Sequence, residues 1–289
     1  MRTLAWRLWE HTPAALQRLL RPALAVLRRR GRRHTPLPEG TPPDLPAEAV
    51  ELDTSIGTLW FDGADTLLIE WVRSQGVWEA DVMKLLGRTL RPGGVFVDVG
   101  ANVGFHTVLA AQLVGQTGRV YAVEPAPWTL QLLRANVWRS DVDVTVLPVA
   151  ASTGRGNVRL ALEPEHRSGA HLTESAEGIV EVEAVPLDEL LPDVAADVIK
   201  VDVEGAEPLV LRGAAGLIAR SPQLVAVVEF RNETHFSGES PADVLALYRS
   251  LGFELCLLRR NGDLTPASAE AVLEHSRREP SFNLVLRRP

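Results

Sequence analysis

The chain has 289 residues, 46% apolar and 23% charged, a globular balance that excludes disorder throughout and collagen-like structure. No run of about 18 uncharged apolar residues is present to span a membrane as a helix. The single cysteine, Cys256, excludes a disulfide framework and a cysteine-built zinc cluster. Nine Arg and one Glu put +8 on residues 1–33, so the rest of a chain with net charge −7 carries −15. An acidic body argues against tracking nucleic-acid phosphates.

Leu16, Leu19, Leu20, Ala23, Leu24 and Leu27 recur at helical spacing among arginines, which predicts a basic amphipathic helix over 14–30, kinked at Pro22. Such an arm suits an anionic membrane surface or a protein partner. Residues 31–46 hold five Pro and two Gly, a spacer that cannot build a core. A boundary near 46 therefore separates an arm and linker, 1–46, from a folded domain, 47–289. The expected location is cytoplasmic, with peripheral membrane attachment through residues 1–33.

In the domain, 56–61 and 66–72 read as a hairpin around Asp62-Gly63-Ala64-Asp65. Residues 77–90 suit a helix stopped by Pro92-Gly93-Gly94. Strand and helix then alternate: strands at 95–99, 119–124 and 143–149, helices at 104–115 and 127–138. A strand pair is expected at 155–162 and 179–185, joined by a polar connection, 163–178, with no elements of its own. Further strands fall at 197–202, 224–230, 253–258 and 282–287, with helices at 207–220 and 241–251. No clear helix separates the last two strands, so an antiparallel edge is expected. This alternation predicts a mostly parallel α/β sheet with helices on both faces.

In such sheets ligands bind beyond the carboxyl ends of the strands. Asp98, Glu124, Asp202 and Glu229 stand at four of those ends. The turn Asp98-Val99-Gly100-Ala101-Asn102-Val103-Gly104 has Gly100 for a sharp bend and close ligand approach, and Gly104 for close helix packing. Asn102 replaces the middle glycine of the dinucleotide fingerprint, so a pyrophosphate would be crowded and an NAD enzyme is disfavoured. Glu124 suits a ribose diol. A nucleoside without a pyrophosphate fits, and S-adenosylmethionine is the candidate, its sulfonium favoured by an acidic site.

The turn, Glu124-Pro125, and Ile199-Lys200-Val201-Asp202-Val203-Glu204-Gly205-Ala206-Glu207 together resemble the FkbM family of S-adenosylmethionine-dependent methyltransferases, as does Gly76-Val77-Trp78-Glu79. The resemblance covers about residues 76–230. It implies a class I methyltransferase Rossmann-like fold with a seven-stranded sheet, here preceded by the basic arm. It also implies O-methylation of a hydroxyl on a sugar, polyketide or related metabolite. Asp98, Gly100, Asn102, Gly104, Phe105, Glu124, Pro125 and Ala151 become the cofactor residues. Ala151 offers adenine only its backbone.

Asp202, Glu204 and Glu229 are the candidate catalytic groups. Asp202 and Glu204, two apart at a strand end, are expected to face one way and to activate a hydroxyl directly. The alternative is a magnesium ion on Asp202 and Glu229, by looser analogy with catechol-type O-methyltransferases; no metal ligand is assigned. Glu207 reads as a helix-capping acid, Lys200 as the structural partner of a carboxylate and His106 as a structural histidine. His171 and His235 are reserve contacts for substrate, and Trp78 is core or pocket wall. A methyltransferase for protein or nucleic acid, and a non-catalytic module recruited by its arm, are the rival functions.

Overall fold

A computed structural model describes residues 44–288, apart from 139, 141, 164, 165, 174–178, 234 and 235. The predicted arm helix and His235 lie outside the described residues. A hairpin opens the domain: β1 (Ala49–Thr54) pairs antiparallel with β2 (Gly57–Asp62). The expected second strand at 66–72 is instead helix α1 (Thr66–Gln75). Asp62 and Asp65 decide this. Asp62 Oδ1 accepts from the Ala64 N–H at 2.9 Å, and Asp65 Oδ1 caps the helix by accepting from the Leu68 N–H at 3.0 Å. Leu68, Ile69 and Val72 then form the buried helical face. Helix α2 (Ala80–Thr89) follows.

The alternation then runs β3 (Val95–Val99), α3 (Phe105–Val114), β4 (Arg119–Val123), α4 (Pro127–Val137) and β5 (Asp143–Leu147). Next come β6 (Ala150–Ala151), β7 (Gly156–Glu163), β8 (His166–Leu172) and β9 (Ile179–Val185). Strand β8 lies in the segment expected to carry no elements; its weakly apolar sequence, with Gly169 at the centre, hides the alternation. After α5 (Leu187–Leu190) come β10 (Val198–Val201), α6 (Glu207–Arg212), α7 (Ala215–Arg220), β11 (Val225–Arg231) and α8 (Pro241–Ser250). The helix expected over 207–220 is broken at Gly213, where a side chain would meet the Ser152 carbonyl oxygen at 1.9 Å. The chain ends with β12 (Glu254–Leu258), β13 (Leu264–Pro266), α9 (Ala269–Ser276) and β14 (Ser281–Arg287). Helix α9 is not apparent from the sequence periodicity. Ser268 starts it by accepting from the Ala271 N–H at 3.2 Å.

The main sheet has the order β13-β12-β14-β11-β10-β3-β4-β5. From β11 through β5 every pair is parallel, and β14 runs antiparallel between β11 and β12. The seven-stranded pattern with its antiparallel edge is thus present, extended by the short β13. Successive residues serve opposite faces. Phe96, Val198 and Val227 pack with Leu86 and Leu109 on one side; Val97, Ile199 and Val228 pack with Leu211 and Leu217 on the other. A second sheet, β6-β9-β7-β8, stands beside the first. No helix among the described residues is long and apolar enough to cross a membrane.

Candidate active site

The turn after β3 passes through left-handed backbone at Gly100 (φ 78°), Asn102 (φ 50°) and Gly104 (φ 88°). A Cβ on Gly100 would lie 1.8 Å from the Asp202 carbonyl oxygen. The close approach that requires glycine is therefore made by the chain leaving β10. At Gly104 the neighbour is Leu133 Cδ1, 2.6 Å from a built Cβ, so this glycine admits α4.

Glu124, at the end of β4, ties the turn down. Its Oε2 accepts from the Asn102 N–H at 2.8 Å; its Oε1 accepts from the Ala126 N–H at 2.8 Å and from Thr129 Oγ1 at 3.0 Å. Burial raises its pKa, against the pull of these hydrogen bonds. A carboxylate has about four acceptor sites, so roughly one remains for a ligand. One hydroxyl of a diol can take that site, while the second must share the carboxylate with a protein donor. Asp98 is buried and accepts from Thr107 Oγ1 at 2.6 Å. Burial pushes its pKa up to about 6, with the nearby Lys200 cation opposing.

These groups line a cavity of about 850 Å³ along the carboxyl edge of the sheet, a volume suited to a nucleoside-sized ligand with room for a second molecule. Asp98, Gly100, Asn102, Phe105, Glu124 and Pro125 border it, as does Ala151. Gly104 does not; its role is packing. Val158, Leu160, Ala170 and Leu172 of the second sheet supply an apolar wall, and Trp78 adds another face. His171 lies between two lining residues on β8 but is not among the lining residues itself.

The charged end is built from distant segments. Lys200 Nζ is 2.6 Å from Asp202 Oδ2 and 3.4 Å from Glu79 Oε2. Burial alone would lower the Lys200 pKa, but Asp202, Glu79 and Asp98 outweigh it and hold the ammonium protonated above the ordinary lysine range. The expected structural pairing of Lys200 is therefore present. His106 is buried at the cavity wall, its Nε2 3.5 Å from Glu79 Oε2. Burial and the Lys200 cation hold its pKa well below the usual value, so the imidazole is neutral.

Asp202 and Glu204 do not share one partner, because β10 ends at Val201 and Glu204 sits in a left-handed turn (φ 57°). Glu204 pairs with Arg231. Arg231 also holds Glu229, with its Nε 2.9 Å from Oε2, and reaches Glu233 at 3.4 Å. Glu229 Oε1 further accepts from Ser281 Oγ at 2.6 Å. Burial, then the Asp202 and Glu207 charges, raise the Glu229 pKa well above the carboxylate range. Glu207 opens α6, where its Oε1 accepts from the Val203 and Gly205 N–H groups at 3.0 and 3.1 Å; it ties down the preceding turn instead of capping the helix as expected, since no side chain caps α6.

Asp202 and Glu229 line the cavity from neighbouring strand ends, yet each is paired with a protein cation, Lys200 or Arg231. Among the described residues no group of three His, Cys, Asp or Glu side chains is placed to hold a metal. Two site residues were not singled out beforehand. Glu79 carried no role, and Arg231, two residues after Glu229 on the same strand face, could have been found by period-two alternation.

Residues 98–255 match the Methyltransferase FkbM domain family. The chain belongs to this family. The hexuronic acid methyltransferase AglP of Haloferax volcanii is 32% identical over 190 residues, covering 64% of this chain and 74% of that relative. The 31-O-demethyl-FK506 methyltransferase FkbM of Streptomyces tacrolimicus is 31% identical over 201 residues, covering 58% and 75%. A solved S-adenosylmethionine-dependent O-methyltransferase from Thermotoga maritima aligns with a TM-score of 0.42 and 13% identity over 83% of this chain and 86% of that one. This FkbM-family chain is a methyltransferase, and its strand order with one antiparallel strand is that of the expected Rossmann-like fold.

Proposed function

We propose that the protein methylates a hydroxyl of a sugar, polyketide or related metabolite. The observation that carries this reading is one continuous cavity lined both by the Asn102–Glu124 turn and by the Glu79–Lys200–Asp202–Arg231 cluster. The donor set fits the cofactor: Glu124 has an acceptor site left for a ribose hydroxyl, Phe105, Pro125 and Ala151 offer apolar surface for the base, and Asp98 is an anion for a cationic group. When bound, S-adenosylmethionine supplies an electrophilic methyl group on a positively charged sulfur. The chain's own residues position an acceptor oxygen in line, which accounts for much of the barrier reduction. Asp202 holds Lys200 in place, while Glu204 and Glu229 hold Arg231, so these acids shape the field at the acceptor end.

The relatives support this acceptor class, one being named for a hexuronic acid and the other for 31-O-demethyl-FK506. The acidic body disfavours a nucleic-acid substrate. Residues 1–33 are assigned to peripheral attachment at an anionic membrane, which salt-sensitive pelleting with phosphatidylserine vesicles would test. For the reaction, the full chain is titrated calorimetrically with S-adenosylhomocysteine and then assayed with methyl-labelled cofactor against free hexoses, hexuronic acids and their glycosides. Binding followed by label in an alkali-stable ether is expected. Absence of binding overturns the cofactor reading, and label in protein or RNA instead overturns the acceptor class.

A further inference from the structure

Glu79 precedes α2 with its own backbone in the left-handed region (φ 46°), a conformation that a glutamate does not choose locally. The surroundings that hold it there come from three other elements. Asn283 of β14 donates to Oε1, while Lys200 of β10 and His106 of α3 flank Oε2. Oε2 is itself buried, lies at the cavity wall and accepts no hydrogen bond; the same is true of His106 Nε2 beside it. A buried carboxylate oxygen without a donor is costly, so its persistence at a cavity wall points to a donor that arrives with a ligand.

The Lys200 ammonium specifies what kind of donor. It has three N–H groups. One goes to Asp202 at 2.6 Å, while Glu79 Oε2 at 3.4 Å receives no hydrogen bond from it, so donor capacity is left for the cavity that Lys200 lines. One acceptor and one donor thus converge on the same volume. A hydroxyl can donate to Glu79 Oε2 and accept from Lys200 Nζ through a single oxygen. A ligand ammonium could satisfy only the first and would be repelled by the second.

We propose that Glu79 is the catalytic base for the acceptor hydroxyl and that Lys200 is the cation that stabilises the oxygen as it becomes nucleophilic. This rests on the O-methyl transfer reading above. In the step, the acceptor O–H bond breaks and its proton passes to Glu79 Oε2. The acceptor oxygen forms a bond to the methyl carbon, the carbon–sulfur bond breaks, and its electron pair remains on sulfur as a neutral thioether. Lys200 keeps its proton, because Asp202, Glu79 and Asp98 surround it. Asp202 acts as a positioning residue for that ammonium. The assignment moves the base from Asp202, Glu204 and Glu229, which pair closely with Lys200 or Arg231, to a residue of the segment before β3 whose Oε2 accepts no hydrogen bond.

The test is a crystal structure of the full chain with S-adenosylhomocysteine, paired with turnover of Glu79→Gln. An ordered water oxygen within about 3.2 Å of both Glu79 Oε2 and Lys200 Nζ is expected as the surrogate for the acceptor hydroxyl. The amino group of S-adenosylhomocysteine seated on Glu79 Oε2, or no oxygen shared by the two groups, overturns the proposal whether or not an acceptor has been found. With methyl-labelled cofactor and hexose or hexuronic acid acceptors, Glu79→Gln should lower kcat by about 10²- to 10⁴-fold, the range for loss of a general base. Its affinity for S-adenosylhomocysteine should change by less than about threefold, well under the tenfold that 1.4 kcal/mol represents. Wild-type turnover in Glu79→Gln sinks the proposal. Failure of the wild type to bind S-adenosylhomocysteine is a different result, and strikes the cofactor reading instead.

Discussion

Substituting Gly100 by alanine tests how the two central strand ends are joined. Two costs follow from the structure. At φ 78° an alanine enters the left-handed region, which costs about 1–2 kcal/mol. Its Cβ would also start 1.8 Å from the Asp202 carbonyl oxygen, where contacts under 3.0 Å are essentially never seen. The ends of β3 and β10 must therefore part by more than an ångström, an overpacking that costs about 1–3 kcal/mol. The sum is about 2–5 kcal/mol, a large part of the ~5–15 kcal/mol that stabilises a typical domain. The displaced segment carries Asp202, and with it the anchor of Lys200, so function should fall along with stability. Urea unfolding followed by circular dichroism should show a lowered midpoint, and calorimetry should show weakened S-adenosylhomocysteine binding. Gly154→Ala is the control, because a Cβ there meets nothing within 4 Å, and its effect should stay within about 0.5 kcal/mol. Equal midpoints for wild type and Gly100→Ala would refute the argument. If Gly100 served ligand approach alone, binding would be lost at full stability, so the two explanations part in this experiment.

Glu124→Gln puts a donor where the carboxylate accepted, and the loss of a charge-assisted acceptor is worth about 1.5–3 kcal/mol. S-adenosylhomocysteine affinity should drop by roughly 10- to 100-fold, and unchanged affinity in calorimetry would remove Glu124 from the cofactor site. Asp98 gives a pH signature. Its carboxyl titrates near about 6 in the fold against 3.8 ordinarily, so between those values the folded state holds the extra proton. Stability must then fall as pH rises through that window, by about 3 kcal/mol at 1.36 kcal/mol per pH unit. Asp98→Asn should lack this component in urea titrations from pH 4 to 7, and identical profiles for the two proteins would contradict it. Affinity for a cationic ligand beside Asp98 should rise over the same interval, as the carboxylate forms.

The sheet was legible because burial on both faces leaves a mark that needs no partner to read. Val95–Val99 and Val198–Val201 are nearly continuous apolar runs, interrupted only by Asp98 and Lys200. Thr66–Val72 misled because a short apolar run has no period of its own. Its state was set by the Asp65 cap, a single side-chain hydrogen bond. Asp202 and Glu204 both line the cavity but take different partners. Period two holds only inside a strand, and β10 stops at Val201, so the left-handed turn at Glu204 sends that side chain to Arg231 instead.

The two ends of the cavity differ in how they are encoded. The cofactor end is local: the turn from Asp98 to Gly104 and the acid at Glu124 belong to adjacent strands joined by one helix, and its hydrogen bonds close between neighbours. The acceptor end is assembled from Glu79 before the sheet begins, Lys200 and Asp202 near the middle of the chain, Glu229 and Arg231 on the next strand, and Ser281 on the antiparallel one. Its opposite wall is β7 and β8, inserted between the two halves of the sheet. Each contribution can vary without disturbing the cofactor turn, since none of these side chains holds it. The residues of the proposed donor end lie close together in the chain and the others do not, which is why the sequence spoke more clearly about the donor. The exception is Glu79, whose side chain touches three elements of the frame and so ties the choice of acceptor oxygen to the sheet itself.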